Sequence, residues 1–179
     1  MRKTVHKWFW VWDFDKEEKW LNEMAAKGLA LVSVGFCRYE FEDCVPGEYK
    51  ICLDFLENRM SGVEKAKYIE FLEETGAEQV GTYQRWIYFR KRTSEENFQI
   101  FSDYNSRIQY LTRIIRFIAL FCGLNLYFGC FNLFWCFYYH SYGNIIGVVN
   151  FFIAIVLIIG VVRLSRKRKK LKTERRIYE

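Results

Sequence analysis

The side chains that could carry out catalysis or bind a metal are few in this 179-residue chain. Its two histidines, His6 and His140, lie far apart, and its six cysteines form neither a CxxC pair nor a Cys/His zinc pattern. A glycine-rich loop of the kind that binds phosphate is also missing. The sequence therefore predicts no metal site, no cofactor and no enzymatic activity, and it points to binding instead.

Aromatic residues, which make up 20% of the chain, form the most informative pattern. Trp8, Trp10 and Trp12 alternate along one segment, and Trp86 and Tyr88 alternate along another. The residues between them are largely apolar too, so both faces of two predicted strands are apolar. Large exposed apolar patches usually mark interaction sites. We therefore expect these five side chains to bind a ligand or a protein partner, unless self-association or the juxtamembrane segment covers them.

The periodicity of apolar residues and the positions of turn residues divide the first 92 residues into strands and helices. These elements must position the aromatic side chains. Gly28 and Gly76 are expected to end the two helices, because glycine is favoured just beyond a helix C-terminus. The predicted strands span residues 4–12, 29–43, 49–56 and 77–92, and the predicted helices span residues 13–28 and 62–75.

This order, β-α-β-β-α-β, is that of an α+β ferredoxin-like domain, in which two helices cover one face of a four-stranded antiparallel sheet. In the predicted register, Tyr39 lies opposite Leu53 and Phe41 lies opposite Ile51, which places opposite charges together on the other face. That other face is open and would carry the aromatic residues. No internal repeat is evident in the sequence.

Two long uncharged stretches follow, at residues 117–139 and 145–162, and each supplies roughly the 20 residues that cross a bilayer as a helix. The few residues between them cannot form a domain, so the pair is predicted to be a two-helix transmembrane hairpin. Arginines precede the first span and nine Lys and Arg residues follow the second, whereas the connecting loop has neither. Both termini are therefore expected in the cytosol, in a multi-pass protein of the cytoplasmic membrane.

The chain thus divides into a cytosolic domain at 1–92, a linker and juxtamembrane helix at 93–116, the hairpin at 117–162 and a basic cytosolic tail at 163–179. Residues 1–104 carry 15 Lys and Arg against 19 Asp and Glu, a net charge of −4, and the remainder carries 12 against 2, a net charge of +10. An acidic domain argues against direct nucleic-acid binding. The basic half makes the lipid bilayer the expected partner.

Polar and small residues within the two spans are expected to pack the helices together. Amides in hydrocarbon are costly unless they find a partner, so we expect them to hydrogen-bond between helices. A G-x-x-x-G pattern at the outer end of the second span permits close helix approach. The residues concerned are Asn125, Asn132 and Asn150 among the amides, and Gly143 and Gly147 in the glycine pattern.

Several motifs resemble the bacterial membrane-protein family catalogued as domain of unknown function 2812, over residues 7 to about 110. The most specific are the run WLNEMA at 20–25, the strand at 47–55 and the FSD turn at 101–103. The resemblance implies a cytosolic domain followed by membrane helices, and members are often encoded beside PadR-like transcriptional regulators. It supplies no catalytic residues, because none is assigned in the family.

These observations lead us to expect a membrane-tethered regulatory or sensory module, whose cytosolic sheet face binds a ligand or a partner such as a PadR-like regulator. An accessory or structural subunit of a membrane complex, for example an exporter, is the alternative. Homo-oligomerisation is open in both cases.

Overall fold

The computed structural model describes residues 2–56, 62–93, 103–139 and 145–178. The chain forms two compact units, Met1–Ser102 and Asp103–Glu179. The first unit is a mixed α/β domain, and the second consists of two long helices.

In its described residues, the first unit has six strands, two α-helices and one short 3-10 helix. The 3-10 helix, Val11–Asp13, lies between the first strand and the first α-helix. In chain order the elements are β1 (Arg2–His6), α1 (Phe14–Ala26), β2 (Leu29–Gly35), β3 (Arg38–Asp43), β4 (Tyr49–Phe55), α2 (Gly62–Glu74), β5 (Ala77–Tyr83) and β6 (Trp86–Arg92).

The strands form two three-stranded antiparallel sheets, with the orders β1-β3-β2 and β4-β6-β5. The ferredoxin-like topology, with its single four-stranded sheet, is not confirmed. The difference arises because two predicted strands each contain a turn, so that residues 29–43 form β2 and β3 and residues 77–92 form β5 and β6. The predicted register is wrong, since Tyr39 pairs with Val5 and Val34 while Leu53 pairs with Tyr88.

The two sheets belong to two copies of one β-α-β-β unit, related by a shift of 48 positions. The helices begin at Phe14 and Gly62, and the strands β2 and β5 begin at Leu29 and Ala77. Each unit also contains an irregularity between its second and third strands, where Val32 and Val80 are the extra residues. The structure therefore reveals an internal repeat that is not evident in the sequence.

Gly28 and Gly76 confirm the predicted helix ends and occupy equivalent positions in the two units. Their φ angles are +81° and +82°, which an L side chain rarely adopts. A Cβ on Gly28 would also lie 2.9 Å from the carbonyl oxygen of Cys44, so this position excludes a side chain for two separate reasons. At each of these glycines, only two residues separate the end of the helix from the start of the next strand.

The strand β6 is covered on both faces by helices. On one face, Ile87 and Phe89 form a core cluster with Leu72 and other buried side chains of the second β-α-β-β unit. The α2 residue Tyr68 packs against this cluster. On the other face, Trp86 lies against Phe14 of α1, with ring centroids 5.6 Å apart. The expectation that both helices cover the same face, and that the other face is open, is therefore wrong for this strand.

Side chains of α1 also satisfy the outer edge of β4. The Asn22 amide accepts a hydrogen bond from the backbone N–H of Ile51 at 2.9 Å and donates one to its carbonyl at 2.8 Å. Glu18 accepts from the N–H of Leu53 at 3.0 Å. A helix thus takes the place that a further strand would occupy in the ladder.

The boundary between the two halves is bridged by polar contacts of Arg90. Its guanidinium donates to Glu42 at 2.9 Å and to the Leu31 carbonyl at 3.3 Å in the first half, and to Glu78 at 2.8 Å in the second. β2 and β5 lie side by side at this boundary, and a Cβ on Gly81 would be 3.5 Å from the backbone nitrogen of Val34. No ladder joins β2 to β5.

The second unit consists of α3 (Tyr104–Tyr138) and α4 (Ile145–Tyr178). Both are long and apolar enough to cross a membrane, and most of their apolar windows are unburied. At 1.5 Å per residue each helix is about 50 Å long, more than the roughly 30 Å hydrocarbon core of a bilayer. The predicted spans lie within these helices, which continue through residues 104–116 and 163–178.

The two helices pack antiparallel along a stripe spaced by three and four residues. Cys122 lies 3.7 Å from the Ala154 carbonyl, and Arg168 donates to the hydroxyl of Thr112 at 3.3 Å. Such spacing is that of a left-handed helical pair. The buried residues of the α3 stripe are Ile108, Leu111, Ile115, Ile118, Cys122 and Gly129.

Candidate functional site

The five aromatic residues predicted to form one surface are divided by the structure into two groups. Trp8 and Trp10 are 55% and 45% exposed, whereas Trp12, Trp86 and Tyr88 are buried. The predicted strand 4–12 ends at His6, so the three tryptophans do not alternate across a sheet. Instead the chain turns through the 3-10 helix, and the Trp12 ring stacks on Trp10 at 5.0 Å.

An exposed aromatic cluster is formed by Trp8, Trp10 and Phe36. The Trp8 ring contacts Trp10 at 5.5 Å and Phe36 at 5.8 Å, in edge-to-face arrangements. Phe36, which is 66% exposed, was missed because it was assigned to the interior of a strand. It lies in the turn between β2 and β3, next to Tyr83 at the end of β5. Trp8 and Trp10 are therefore the part of the predicted surface that is exposed, and Phe36 adds to it.

Trp86 and Tyr88 contribute instead to the buried interface between α1 and β6. Trp86 contacts Phe14 at 5.6 Å and Phe55 at 5.0 Å. The Tyr88 hydroxyl donates to Glu17 at 2.6 Å. These two residues are therefore not exposed, and their apolar environment is explained by the helix that covers them.

Glu17 is a buried acid at the centre of the domain, with only 8% of its surface exposed. Its Oε1 accepts hydrogen bonds from Tyr39 at 2.7 Å and from Tyr88 at 2.6 Å. Burial raises the pKa of Glu17, and the two tyrosine hydrogen bonds partly oppose that rise. Burial and the adjacent carboxylate of Glu17 raise the pKa of Tyr39.

The sequence analysis did not single out Glu17, although the spacing of residues in α1 contains a signal. Phe14, Glu17, Leu21 and Ala25 recur every three or four residues and share one face of α1, and all four are buried. A carboxylate within such a stripe needs hydrogen-bond donors. Tyr39 on β3 and Tyr88 on β6 supply these donors, each from the third strand of its β-α-β-β unit.

A second aromatic group lies beside Lys7, the residue that follows β1. The rings of Phe9, Trp20 and Tyr39 lie 5.1 to 6.3 Å apart in pairs. The Lys7 ammonium lies 4.5 Å from the centre of the Trp20 ring and 5.1 Å from that of Phe9, within the range of cation–π attraction.

The amides predicted to join the two long helices make hydrogen bonds within α3. Asn125 donates to the Phe121 carbonyl and Asn132 to the Phe128 carbonyl, each four residues earlier. These bonds differ from the expected interhelical ones. Asn150 is half-buried on α4.

Glycine does occur where the two helices approach each other closely. A Cβ on Gly147 would lie 3.4 Å from Cβ of Asn132, and one on Gly129 would lie 3.1 Å from the Phe151 ring. Gly143 lies outside the described residues. Gly129 was missed in the sequence because it has no glycine partner four residues away. It shares the helix face of Asn125 and Asn132, which is the signal that could have found it.

Across residues 2–56, 62–93, 103–139 and 145–178, no group of three or more His, Cys, Asp or Glu side chains could hold a metal ion. The arrangement supports binding through exposed aromatic rings and contains one buried acid with two tyrosine donors.

Fold and site define an α/β domain of two β-α-β-β units, joined to two helices that are long and apolar enough to cross a membrane. A family model described as "Protein of unknown function (DUF2812)" matches residues 13–122. The chain therefore belongs to this family, which confirms the resemblance. No curated protein and no solved structure matches the chain.

Proposed function

We propose that the chain is a membrane-tethered regulatory module whose α/β domain binds a cytosolic protein partner through the exposed aromatic cluster. The observation that carries the proposal is the joint exposure of Trp8, Trp10 and Phe36 on one surface of a folded domain. Aromatic side chains supply much of the binding energy at protein interfaces, because they bury large areas at small entropic cost.

The cluster lies at one end of the sheet that contains β5 and β6. Phe36 contacts Tyr83 at the end of β5, beside the turn that begins β6. The chain continues towards α3 from the opposite end of β6, at Arg92. The cluster thus lies beside the first residues of β6, at the strand end opposite Arg92. A PadR-like transcriptional regulator is the candidate partner.

The anchoring part of the proposal is a multi-pass arrangement in the cytoplasmic membrane with both termini in the cytosol. Its support is the charge at the ends of α3 and α4, which follows the rule that Lys and Arg remain on the cytosolic side. A phosphatase fused after Glu179 is expected to be inactive, and green fluorescent protein fused there is expected to fluoresce. Phosphatase activity at that position would exclude the arrangement.

The partner is tested by crosslinking in native membranes, followed by affinity purification of the full chain in mild detergent. Wild type is expected to recover a transcription regulator, and the double variant Trp8→Ser and Trp10→Ser is expected to recover at least about tenfold less, as for loss of an interface hot spot. Phe71→Ser is the matched control, because Phe71 is 61% exposed on α2, outside the cluster. Equal recovery from all three proteins would refute the proposal.

An accessory subunit of a membrane complex is the second candidate, favoured by an aromatic stripe on α3. Consecutive rings of this stripe lie 4.7 to 6.4 Å apart at a spacing of four residues, and all are exposed on the helix pair. Such a stripe could pack against another membrane helix. Recovery of transporter subunits that is lost on changing Phe131 to Ala would favour this role. The stripe consists of Tyr127, Phe131, Trp135 and Tyr139.

A further inference from the structure

The strand β1 lies at one end of the sheet order β1-β3-β2, and β3 is its only neighbouring strand among the described residues. In register with this pairing, the N–H of Lys7 donates to the Cys37 carbonyl at 3.0 Å, which shows that Lys7 faces β3. Backbone groups alternate in direction along an antiparallel strand. Those of Arg2, Thr4 and His6 therefore face outward, and all three residues are exposed. We call these outward N–H and C=O groups the β1 edge.

The equivalent edge of the other β-α-β-β unit, that of β4, is closed by side chains of α1. Ile51 and Leu53 face outward there and hydrogen-bond with Asn22 and Glu18. No side chain of the described residues makes such a bond to the β1 edge, and α2, the counterpart of α1, packs on β5 instead. The β1 edge is thus a row of unpaired N–H and C=O groups, which is the template that an added strand uses.

The segment that carries this edge is cationic, although the domain as a whole is acidic. Residues 2–7 contain three Lys or Arg and no Asp or Glu, whereas residues 1–104 together carry a net charge of −4. Glu40 and Glu42 lie opposite β1 on β3, but both pair with arginines outside β1. Two copies of β1 side by side would bring like charges together, which destabilises strand pairing. An acidic strand is therefore a better occupant of the edge than a second copy of this chain.

The β1 edge also continues towards the exposed aromatic cluster. Trp8 follows His6, the last residue of β1, by two positions and is 55% exposed. A segment that pairs along β1 and runs past His6 comes next to Trp8. Apolar contact with an exposed aromatic ring then adds binding energy beyond that of the backbone hydrogen bonds.

We propose that β1 accepts an extended acidic segment of the cytosolic partner as a fourth strand of the β1-β3-β2 sheet. The backbone of this segment hydrogen-bonds with the β1 edge, its carboxylates lie beside Arg2 and Lys3, and an apolar residue contacts Trp8. In such strand addition, main-chain hydrogen bonds supply affinity and side chains supply specificity. This inference deepens the proposed function by giving the chemistry of the partner, and it rests on that function for the partner's existence.

Strand addition is tested on the purified full chain in maltoside detergent, with a fluorescent peptide of alternating glutamate and valine long enough to run from Arg2 to Trp8. The anisotropy of this acidic peptide is expected to rise as it binds. Two control peptides are expected not to bind. One has lysine in place of glutamate, and the other is N-methylated at every residue, so that it cannot donate to a ladder. Absence of binding by the acidic peptide, or equal binding of either control, would overturn the inference.

Thr4→Pro tests the β1 edge, because it removes an outward N–H that the pairing with β3 does not use, and proline is tolerated at such positions. It is expected to weaken binding of the acidic peptide about tenfold, since a backbone hydrogen bond is lost, whereas the matched control Thr4→Val keeps the N–H and the affinity. Slow hydrogen exchange of the Val5 amide, which faces β3, reports by NMR that β1 remains paired. An unchanged affinity in the Thr4→Pro protein would contradict strand addition.

A charge reversal tests the same edge without altering the backbone. The double variant Arg2→Glu and Lys3→Glu is expected to weaken binding of the acidic peptide about tenfold, as loss of complementary charge does. Lys65→Glu with Lys67→Glu, an equal change of charge on α2, is expected to leave the affinity unchanged. Equal affinities of the two double variants would overturn the inference. Protection of the Thr4 amide that rises with protein concentration in the absence of peptide would assign the edge to a second copy, and would also overturn it.

Recovery of the partner from native membranes separates this inference from the proposed function. Thr4→Pro is expected to recover less of the regulator than Thr4→Val. If the double variant of Trp8 and Trp10 loses the regulator while Thr4→Pro retains it, the acidic strand is refuted and the proposed function stands. If the acidic peptide binds at the β1 edge but wild type recovers no regulator, the proposed function fails and strand addition stands.

Discussion

The hydroxyl of Tyr88 lies 2.6 Å from the carboxylate of Glu17, although the two residues are 71 positions apart in the chain. Tyr88 belongs to the second β-α-β-β unit and Glu17 to the first, so this hydrogen bond crosses the boundary between the halves. The Tyr39 hydroxyl donates to the same oxygen from the first half. One buried acid thus connects the third strands of both units.

Glu17→Gln is expected to stabilise the domain increasingly as the pH rises. Burial raises the pKa of Glu17 above its ordinary 4.5, so the folded state keeps a proton that the unfolded chain has released. The stability due to protonated Glu17 is therefore present below pH 4.5 and is lost as the pH rises through the folded-state pKa. Glutamine does not ionise, and its Oε1 still accepts from Tyr39 and Tyr88.

Urea unfolding of the full chain in detergent between pH 4.5 and pH 8 measures this difference. Glu23→Gln is the control, since Glu23 is exposed on the same helix. A stability gain for the Glu17 variant that is the same at every pH would contradict the expected linkage.

Tyr39→Phe and Tyr88→Phe are each expected to lower the free energy of unfolding by about 1–2 kcal/mol, the usual range for a buried hydrogen bond to an acid. Their effects should not add. One remaining hydroxyl can still satisfy the shared oxygen, whereas the double variant leaves a buried carboxyl group without either donor, so its loss should exceed the sum of the two. Chemical denaturation of all three proteins gives the coupling. Additive losses would show that the two hydroxyls act independently.

Asn22→Ala is expected to destabilise the domain by about 2–4 kcal/mol. The Asn22 amide satisfies both the N–H and the carbonyl of Ile51, and Ile51 is fully buried. Each buried backbone group left without a partner costs about 1–3 kcal/mol. Denaturant unfolding compares this variant with Glu23→Ala on the exposed side of the helix. A loss no larger than that of the control would mean that water replaces the amide at the strand edge.

Gly129→Val is expected to weaken the packing of α3 against α4 by about 1–3 kcal/mol, as overpacking usually does. A Cβ at Gly129 would already approach the Phe151 ring to 3.1 Å, closer than ordinary contact. Gly123→Val is the matched control in the same helix, because a Cβ there meets no atom within 4 Å. The melting temperature of the helices in detergent, followed by circular dichroism, should fall for Gly129→Val and not for Gly123→Val. Equal melting temperatures for the two variants would show that the helices accommodate a side chain at Gly129 without loss of stability.

The helices were predictable because their signals are local. Gly28 and Gly76 end α1 and α2 where expected, and long uncharged stretches mark the interiors of α3 and α4. These features depend on a few adjacent residues, such as a glycine at positive φ or an unbroken apolar run. Distant parts of the chain do not alter them.

The strands were less predictable because two of their turns lack the usual turn residues. Cys37 and Gln84 adopt positive φ values of 52° and 54° in the turns before β3 and β6, where glycine or asparagine is ordinarily favoured. Without that signal each pair of strands resembles one long strand. The predicted single sheet of four strands follows from this error, since two of the six strands were not recognised as separate.

The aromatic surface was only partly predictable for a related reason. Residues Trp86, Ile87, Tyr88 and Phe89 are apolar on both faces of β6, a pattern that fits either an exposed patch or a strand covered on both sides. The choice depends on α1, which reaches β6 from another part of the chain. The spacing in α1 indicates that Glu17 faces the core, but the sequence could not identify its hydroxyl partners, which are 22 and 71 positions away.

The 48-residue repeat has a consequence for the origin of this domain. Two copies of one β-α-β-β unit, joined at a side-by-side boundary, are the arrangement expected from duplication of one ancestral unit. After such a duplication both halves would have carried the same residues at equivalent positions. The present chain has Glu17 in one half and Lys65 at the equivalent position of the other. The two halves therefore share a fold but differ in chemistry, since only the first contributes a buried acid to the hydrogen bonds that join them.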